Sequence, residues 1–143
     1  MKTADFFVTY MTTLLEPGEL LVEIRVPPVA PRTGWSFQEV SRRHGDFALA
    51  GVATMVTLDG AGAIQEARLC FTGPTPVRPS KAEQVMASQK PSESLFREAA
   101  RVATSDLEQD SDIHASADYR RSACEALARR ALAESANRAT VAR

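Results

Sequence analysis

The sequence predicts an α+β fold, a two-layer sandwich in which an antiparallel sheet of about four strands is followed by three helices packed on one face. Two observations support this prediction. Apolar residues alternate with period two between residues 20 and 72, and the period becomes helical beyond Arg78. The two regions are separated by Gly73-Pro74-Thr75-Pro76, a sequence typical of a loop. Strands first and helices last is the order of a layered α+β domain.

Four apolar runs predict the strands of this sheet. They cover residues 20–26, 35–40, 52–58 and 64–71. In the first run every second residue from Leu20 to Val26 is apolar, and most of the residues between them are charged. In the second run the alternation fails near Val40, which indicates a bulge or a strand end. Short connections such as Asp59-Gly60-Ala61-Gly62 favour antiparallel pairing, with one face of the sheet solvated.

Three helices are predicted after residue 78, each from its own signal. Ser80-Lys81-Ala82-Glu83 is a capping box, in which the serine and the glutamate each satisfy an amide at the end of a helix. Residues 93–104 predict the second helix, with Leu95, Ala99 and Val102 as its buried stripe. The third runs from about Ala117 to Arg138. Its apolar stripe has the spacing of a helix that packs closely on a sheet: Cys124, Leu127, Ala128, Ala131 and Leu132.

Composition argues against several classes of function. The 143 residues fit one domain. The net charge is −1 and the Lys and Arg residues are scattered, which argues against nucleic acid or a membrane surface as a partner. The N-terminal residues, interrupted by Asp5, predict neither a signal peptide nor a membrane span. Cys70 and Cys124 have no CxxC partner, so we expect buried thiols in a reducing cytoplasm rather than a disulfide or a metal cage.

Three stretches of the chain contain motifs of one protein family. They are Asp5-Phe6-Phe7 through Thr13-Leu14-Leu15-Glu16-Pro17-Gly18 to Val26-Pro27, then Arg42-Arg43-His44-Gly45-Asp46-Phe47-Ala48, and finally Thr72-Gly73-Pro74-Thr75-Pro76-Val77-Arg78 with Asp110-Ser111-Asp112-Ile113-His114 and Tyr119-Arg120-Arg121. In this order, over nearly the whole chain, they resemble the C-terminal domain of the FAD-binding (medium) subunit of molybdenum hydroxylases. The resemblance is to the carbon monoxide dehydrogenase flavoprotein and xanthine dehydrogenase type.

The resemblance implies a place for the chain within a larger enzyme. Residues 1–18 would be a strap or linker from an FAD-binding half, and residues 19–143 the flavoprotein C-terminal domain. The parent subunit would pass electrons from iron-sulfur centres through FAD to an acceptor, with iron-sulfur and molybdopterin subunits as partners. The chain has seven glycines but no GxGxxG or GG-S stretch, whose backbone amides could approach a pyrophosphate. We therefore expect it to bind no FAD and to show no dehydrogenase activity by itself.

The loop between the second and third predicted strands is the candidate cofactor-binding site. Its residues are Arg42, Arg43, Gly45, Asp46 and Phe47. The resemblance implies that this loop lies against the isoalloxazine ring of FAD, where Phe47 covers the ring and Asp46 orients the loop or meets the ring's polar edge. Phe47 should then lie at the surface of the free domain. The residues alone leave another interpretation open, a hairpin turn with a solvated charge pair and a core phenylalanine.

Two histidines could bear chemistry but have a simpler interpretation. His44 and Asp46 could belong to a hydrolytic triad, but no G-x-S-x-G elbow presents a serine, so no catalytic residue is predicted. His114 could bind a metal with Asp110 and Asp112. Carboxylates in front of a helix more often stabilise its N-terminus, so no metal site is predicted.

Two groups of aromatic residues are candidate contact surfaces. Tyr119-Arg120-Arg121 fits either a buried tyrosine with two surface arginines or a patch for a neighbouring domain or subunit. Phe6, Phe7 and Tyr10 are expected to pack on the FAD-binding half and, without it, to drive self-association. The alternative function is a non-catalytic interaction or scaffold domain that retains the fold without flavin.

Overall fold

The larger elements follow the α+β order that the sequence predicts, strands before helices. The structure, a computed structural model, describes residues 1–9, 11–73 and 76–142. Its elements are α1 (Thr3–Phe6), β1 (Phe7–Thr9), β2 (Thr12–Thr13), β3 (Thr33–Val40), β4 (Ala50–Leu58), β5 (Ile64–Phe71), α2 (Ser80–Met86), α3 (Glu93–Ser105) and α4 (Ala117–Val141). Strands β1 and β2 form a small antiparallel pair, and β3, β4 and β5 form an antiparallel sheet in that order.

The helices cover one face of the three-stranded sheet. Helix α4 lies against β3 and β4, α2 contacts β5, and α3 packs on α2 and α4. The strand side chains that point to this side are buried, including Val52, Val56, Leu69 and Phe71. Burying one side chain of this size contributes about 1.5–3 kcal/mol. The interface between sheet and helices is therefore the core of the domain.

Helix α4 approaches the sheet closely at Gly34. A Cβ atom at this position would lie 2.1 Å from the carbonyl oxygen of Ser135 and 2.4 Å from the amide nitrogen of Ala139. The predicted stripe of α4 is buried as the spacing indicates: Cys124, Leu127, Ala128, Ala131 and Leu132. A glycine on the strand and small residues on the helix thus allow the two backbones to meet.

Polar side chains fasten the end of α4 to the edge strand β3. Ser36 Oγ and Gln38 Nε2 donate hydrogen bonds to Glu134 Oε2 at 2.6 and 3.0 Å. These bonds hold the pKa of the Glu134 carboxyl below its usual range. Arg138 Nη1 donates to the carbonyl of Trp35 at 2.6 Å, and its guanidinium lies 5.1 Å from the centre of the Trp35 ring. The edge strand is therefore fixed to the helix layer by charged groups.

Residues 20–26 form no strand, so the sheet has three strands in the described chain where about four were predicted. Leu20, Val22, Ile24 and Val26 are each at least three-quarters exposed. Their alternation fits one face of a strand, but a strand also needs a neighbour to satisfy its backbone hydrogen bonds, and none of the described strands pairs with them. The pattern marks apolar surface that the domain leaves uncovered.

Two helix details also differ from the sequence prediction. The capping box at Ser80 and Glu83 is not formed, because Pro79 is the N-cap and Glu83 Oε1 accepts instead from the amide of Leu69 in β5 at 3.0 Å. In α3 the most buried residues are Phe96, Ala99, Ala100, Ala103 and Thr104. The predicted Leu95 and Val102 are only partly buried, because α3 packs on two helices and its buried stripe is rotated by one residue.

None of the described helices covers the other face of the three-stranded sheet. Trp35 of β3 pairs across the strands with Met55 and Phe37 pairs with Ala53, so these four side chains share that face. Trp35 and Phe37 are 59% and 52% exposed. We call these four residues the open face. Large aromatic side chains at an exposed position are typical of a surface that contacts a partner.

Candidate functional site

The residues predicted to bind the cofactor lie in the β3–β4 loop, residues 41–49. The loop is closed at its base, where the amide of Leu49 donates to the carbonyl of Val40 at 2.8 Å. At its tip the amide of Asp46 donates to the carbonyl of Arg43 at 3.1 Å, and Gly45 has φ +90°. A positive φ is readily adopted by glycine only. Gly45 therefore makes the turn possible.

Charged side chains flank the tip of this loop. Arg42 and Asp46 form an ion pair with 3.7 Å between Nη2 and Oδ2, and both side chains are well exposed. An exposed pair at this distance contributes little to stability. Arg43 and His44 are exposed beside it. The structure thus places two arginines and one carboxylate on one loop, with Arg42 and Asp46 in contact.

Phe47 projects from this loop with its side chain fully exposed, at 100%. The expectation that it lies at the surface is confirmed, and the interpretation of a core phenylalanine is wrong. Phe47 does not belong to the hydrophobic cluster between the sheet and the helices. An aromatic ring in water forfeits about 1.5–3 kcal/mol of burial free energy. Its role toward a flavin stays a prediction.

Arg120 of α4 connects to the base of the loop. Its Nη1 donates to the carbonyl of Leu49 at 2.8 Å and its Nη2 to Asp112 Oδ2 at 2.7 Å. The side chain of Arg120 is only 14% exposed, whereas Tyr119 is 48% exposed. The interpretation of a buried tyrosine beside two surface arginines is therefore wrong at these two positions. No local signal could have revealed the contact, because Leu49 and Arg120 are 71 residues apart.

Asp112 stabilises the turn before α4 through its side chain. Its Oδ1 accepts from the backbone amides of His114 and Ala115 at 2.8 and 3.0 Å. These two bonds, helped by Arg120, lower the pKa of its carboxyl to about 2. Within the described part of the chain, no three His, Cys, Asp or Glu side chains come together as a metal site would require. Asp112 therefore stabilises the turn itself, whereas the N-terminus of α4 is capped by Ser116, whose side chain accepts from the amide of Tyr119.

Neither cysteine belongs to the β3–β4 loop, and neither of the two surface grooves is lined by it. Cys124 is buried and Cys70 half-buried, both are free, and burial raises the pKa of each thiol. Two surface grooves of about 320 and 380 Å³ run beside α3 and α4 and contain no residue of the β3–β4 loop. Among the described residues, no helix combines the length and the apolarity that crossing a membrane requires.

Comparison with known proteins gives one consistent family. The CO dehydrogenase flavoprotein C-terminal domain matches residues 35–135. The 6-hydroxypseudooxynicotine dehydrogenase complex subunit alpha of Paenarthrobacter nicotinovorans is 35% identical over 137 residues, which cover 94% of this chain and 46% of that protein. The carbon monoxide dehydrogenase medium chain of Hydrogenophaga pseudoflava is 33% identical over 129 residues, 89% of this chain and 44% of that one.

Solved structures agree with this result. Carbon monoxide dehydrogenase from Hydrogenophaga pseudoflava contains a chain that superposes with a TM-score of 0.89 at 33% identity, over 94% of this chain and 47% of that chain. Quinoline 2-oxidoreductase from Pseudomonas putida 86 gives a TM-score of 0.83 at 34% identity, with the same two coverages. The chain thus spans about half the length of the curated relatives it matches.

Proposed function

The chain belongs to the CO dehydrogenase flavoprotein C-terminal domain family, and from that premise we propose that it is the part of a flavin subunit that covers one face of FAD. The parent enzyme would be a molybdenum-containing dehydrogenase. In it, FAD would relay electrons from iron-sulfur centres to an acceptor. The residues that would meet the flavin ring are Arg42, Arg43, Gly45, Asp46 and Phe47. None of them would take part in a covalent step.

The single observation that supports this proposal is the fully exposed ring of Phe47. A side chain with no apolar partner in its own domain is available to stack on a flat aromatic surface, at ring-centre distances of about 4.5–7 Å. Phe47 would exclude water from that side of the ring. Asp46, whose amide is bonded within the loop, would orient the loop or accept a hydrogen bond from the ring's polar edge.

The residues present fit the ring of FAD but not its phosphates. The loop offers an aromatic side chain, two guanidinium groups and a carboxylate, which suit the face and the edge of an isoalloxazine. The sequence has no glycine-rich stretch that could surround a pyrophosphate. We therefore propose that FAD is bound mainly by the FAD-binding domains of the parent subunit, and that this chain alone retains none.

The open face and the N-terminal segment would contact those FAD-binding domains. Trp35 and Phe37 remain half-exposed on the sheet, close in sequence to the loop that they precede. Residues 1–18 would be a strap from the FAD-binding half, and residues 19–143 the C-terminal domain. Phe6 and Phe7 stack edge to face at 5.0 Å, and Phe7 is 47% exposed. Tyr10, predicted in the same cluster, lies outside the described residues.

The remaining partners follow from the same proposal. The parent subunit would assemble with iron-sulfur and molybdopterin subunits in the cytoplasm. Without the FAD-binding domains, Phe6, Phe7 and Tyr10 would cause the chain to self-associate.

A chimeric subunit tests the flavin-covering role. In the carbon monoxide dehydrogenase medium chain of Hydrogenophaga pseudoflava, the segment that this chain matches is replaced by this chain. We expect the chimera to retain FAD through gel filtration and the 143-residue chain alone to retain none. Phe47→Ala in the chimera should change the fluorescence of bound FAD, because water then reaches the ring.

The matched control is Val141→Ala, which removes an exposed apolar side chain at the end of α4. It should leave the flavin signal unchanged. If the chimera binds FAD and Phe47→Ala has the same flavin fluorescence and reoxidation rate as the parent chimera, Phe47 does not cover the ring and the proposed role is wrong.

A further inference from the structure

The backbone of Leu49 is fixed at both of its polar groups. Its amide donates to the carbonyl of Val40 at the end of β3, and its carbonyl accepts from Arg120 of α4. Phe47 is only two residues before Leu49. The direction in which the β3–β4 loop leaves the sheet is therefore set relative to the helix layer at this one residue.

The guanidinium of Arg120 is held between two acceptors that are themselves fixed. Leu49 is bonded to β3, and Asp112 accepts two backbone amides of its own turn. A guanidinium is planar and presents its donors in a rigid fork, so two fixed acceptors determine its orientation. Both bonds involve a full charge and are stronger than neutral ones. We call Arg120, Asp112 and the Leu49 carbonyl the Arg120 clamp.

A third donor of Arg120, its Nε, is left without a hydrogen bond by this arrangement within the described chain. Arg120 Nε is buried and has no hydrogen-bond acceptor among the residues that the structure describes. Leaving a buried donor unpaired is unfavourable. The guanidinium keeps this orientation because the bonds to Leu49 and Asp112 outweigh that loss. The side chain of Arg120 thus makes its hydrogen bonds to Leu49 and Asp112 and leaves Nε unpaired in the described part of the chain.

We propose that Arg120 is a positioning residue for the β3–β4 loop, and that the Arg120 clamp sets the direction in which Phe47 projects. The clamp itself stands on contacts within this chain. Only the identity of the surface that Phe47 meets rests on the proposed function. Arg120 acts through Leu49 and touches no reacting atom.

Amide hydrogen exchange in the 143-residue chain, followed by NMR, tests the clamp. The probes are the amide of Asp46, which is bonded to Arg43 within the loop, and the amide of Leu49, which is bonded to Val40 at the base of the loop. In Arg120→Gln these amides should exchange about tenfold faster or more, because a hydrogen bond from a charged donor is lost. Amides in the middle of α4 and β4 should keep their parent rates.

Arg121→Gln is the matched control. Arg121 is the next residue of α4, and it too donates to a backbone carbonyl, that of Leu107, and pairs with an aspartate, Asp118. Its removal should not accelerate exchange in the loop. A second variant, Asp112→Asn, keeps Arg120 and the amide-accepting oxygen but removes the charge. It should accelerate exchange at Asp46 and Leu49 by less than Arg120→Gln does.

The outcomes separate clearly. Faster exchange confined to the loop in Arg120→Gln and Asp112→Asn, but not in Arg121→Gln, supports the clamp. Unchanged loop exchange in both variants overturns it. If Arg120→Gln accelerates exchange throughout the sheet and α4, the result with Asp112→Asn decides: a local effect in the loop supports the clamp and no local effect overturns it.

The chimera separates the clamp from the flavin-covering role. With FAD bound, Arg120→Gln should shift the flavin fluorescence in the same direction as Phe47→Ala, and Arg121→Gln should not. If Phe47→Ala changes the flavin signal and Arg120→Gln does not, the clamp does not position Phe47, while the flavin-covering role stands. If exchange shows the clamp and neither variant changes the flavin signal, the clamp stands and the flavin-covering role fails.

Discussion

Phe47 shows how a single residue can matter for a site without mattering for the fold. Its side chain is fully exposed, so it contributes almost nothing to the buried core of this chain. We expect Phe47→Ala to change the free energy of unfolding by less than about 0.5 kcal/mol, as for other surface substitutions. Urea unfolding followed by circular dichroism measures it.

Phe96→Ala provides the comparison for that prediction. Phe96 is a buried phenylalanine of α3, and its truncation should cost about 3 kcal/mol or more, because it leaves a cavity in the core. Equal losses in the two variants would mean that Phe47 is part of the core after all.

The carboxyl of Asp112 leads to a prediction about the stability of the chain at low pH. This carboxyl accepts the backbone amides of His114 and Ala115 first, and then the Arg120 guanidinium, so its pKa is lowered to about 2. A carboxyl whose pKa is lower in the folded chain stabilises it above the unfolded pKa of about 3.9. That stabilisation should be lost as the pH falls from about 4 to 2. A carbon-13 NMR titration of the carboxyl should give a midpoint near 2.

Arg120→Gln refines the same measurement. Because the two backbone amides are the larger cause of the low pKa, the midpoint of Asp112 should rise in this variant but stay below about 3.9. A midpoint for Asp112 at the ordinary value of about 3.9 would show that Arg120, and not the backbone amides of the turn, lowers the pKa of this carboxyl.

Sequence reasoning at the residue scale succeeded where a motif was local and failed where a contact joined distant segments. The exposed position of Phe47 followed from the resemblance of residues 42–48 to a family motif. The hydrogen bond from Arg120 to the carbonyl of Leu49 could not be predicted in this way. Every residue has a backbone carbonyl, so the sequence does not indicate which one accepts from Arg120.

At the scale of elements, the contact between β3 and α4 is the most demanding. A Cβ atom at Gly34 would meet backbone atoms of α4 at 2.1 and 2.4 Å, and backbone moves less easily than a side chain. We expect Gly34→Ala to destabilise the chain by about 3 kcal/mol, at the upper end of the usual cost of overpacking. Thermal and urea unfolding report the loss.

Gly60→Ala is the control for that substitution. A Cβ atom at Gly60 would meet no heavy atom within 4 Å, and its φ is not in the left-handed region. Its stability should differ little from that of the parent chain. A Gly34→Ala variant as stable as Gly60→Ala would show that α4 can move away from the sheet at low cost.

Helices α4 and α2 show which features of the elements could be predicted from the sequence and which could not. The spacing of small residues in α4 predicted its buried stripe, because an amphipathic helix displays its packing face in its own sequence. The capping box predicted at Ser80 and Glu83 does not form, because the Glu83 carboxylate accepts a hydrogen bond from the amide of Leu69 in the neighbouring strand. Local signals lose to tertiary contacts that the sequence does not display.

At the scale of the whole molecule, two groups of exposed apolar side chains lie where the sequence alternates as in a strand or resembles the family motif. One is the open face with the β3–β4 loop, where Trp35, Phe37 and Phe47 are exposed. The other is the segment of residues 20–26, whose alternating pattern predicted a strand that the described chain does not form. The part of the chain that the structure describes supplies no surface that buries either group.

This uncovered segment leads to a prediction about association in solution. Leu20, Val22, Ile24 and Val26 form an apolar row on an unpaired stretch of backbone, and such a stretch can pair with another copy of the chain. We expect the 143-residue chain to show an average mass that rises with concentration in sedimentation velocity. Replacing Val22 and Ile24 together by lysine should shift this rise to higher concentration, because it places two charges within the apolar row.

Glu23→Lys separates the effect of the apolar row from that of charge. Both variants raise the net charge, which is −1 in the parent chain, by two, but Glu23 is one of the charged residues that stand between the apolar ones. If the row mediates association, only the double variant weakens it, since Glu23→Lys leaves the apolar side chains in place. Equal behaviour of the two variants would attribute the effect to net charge. Association unchanged in both would direct attention to Phe6 and Phe7, whose aromatic pair would then be the surface through which copies meet.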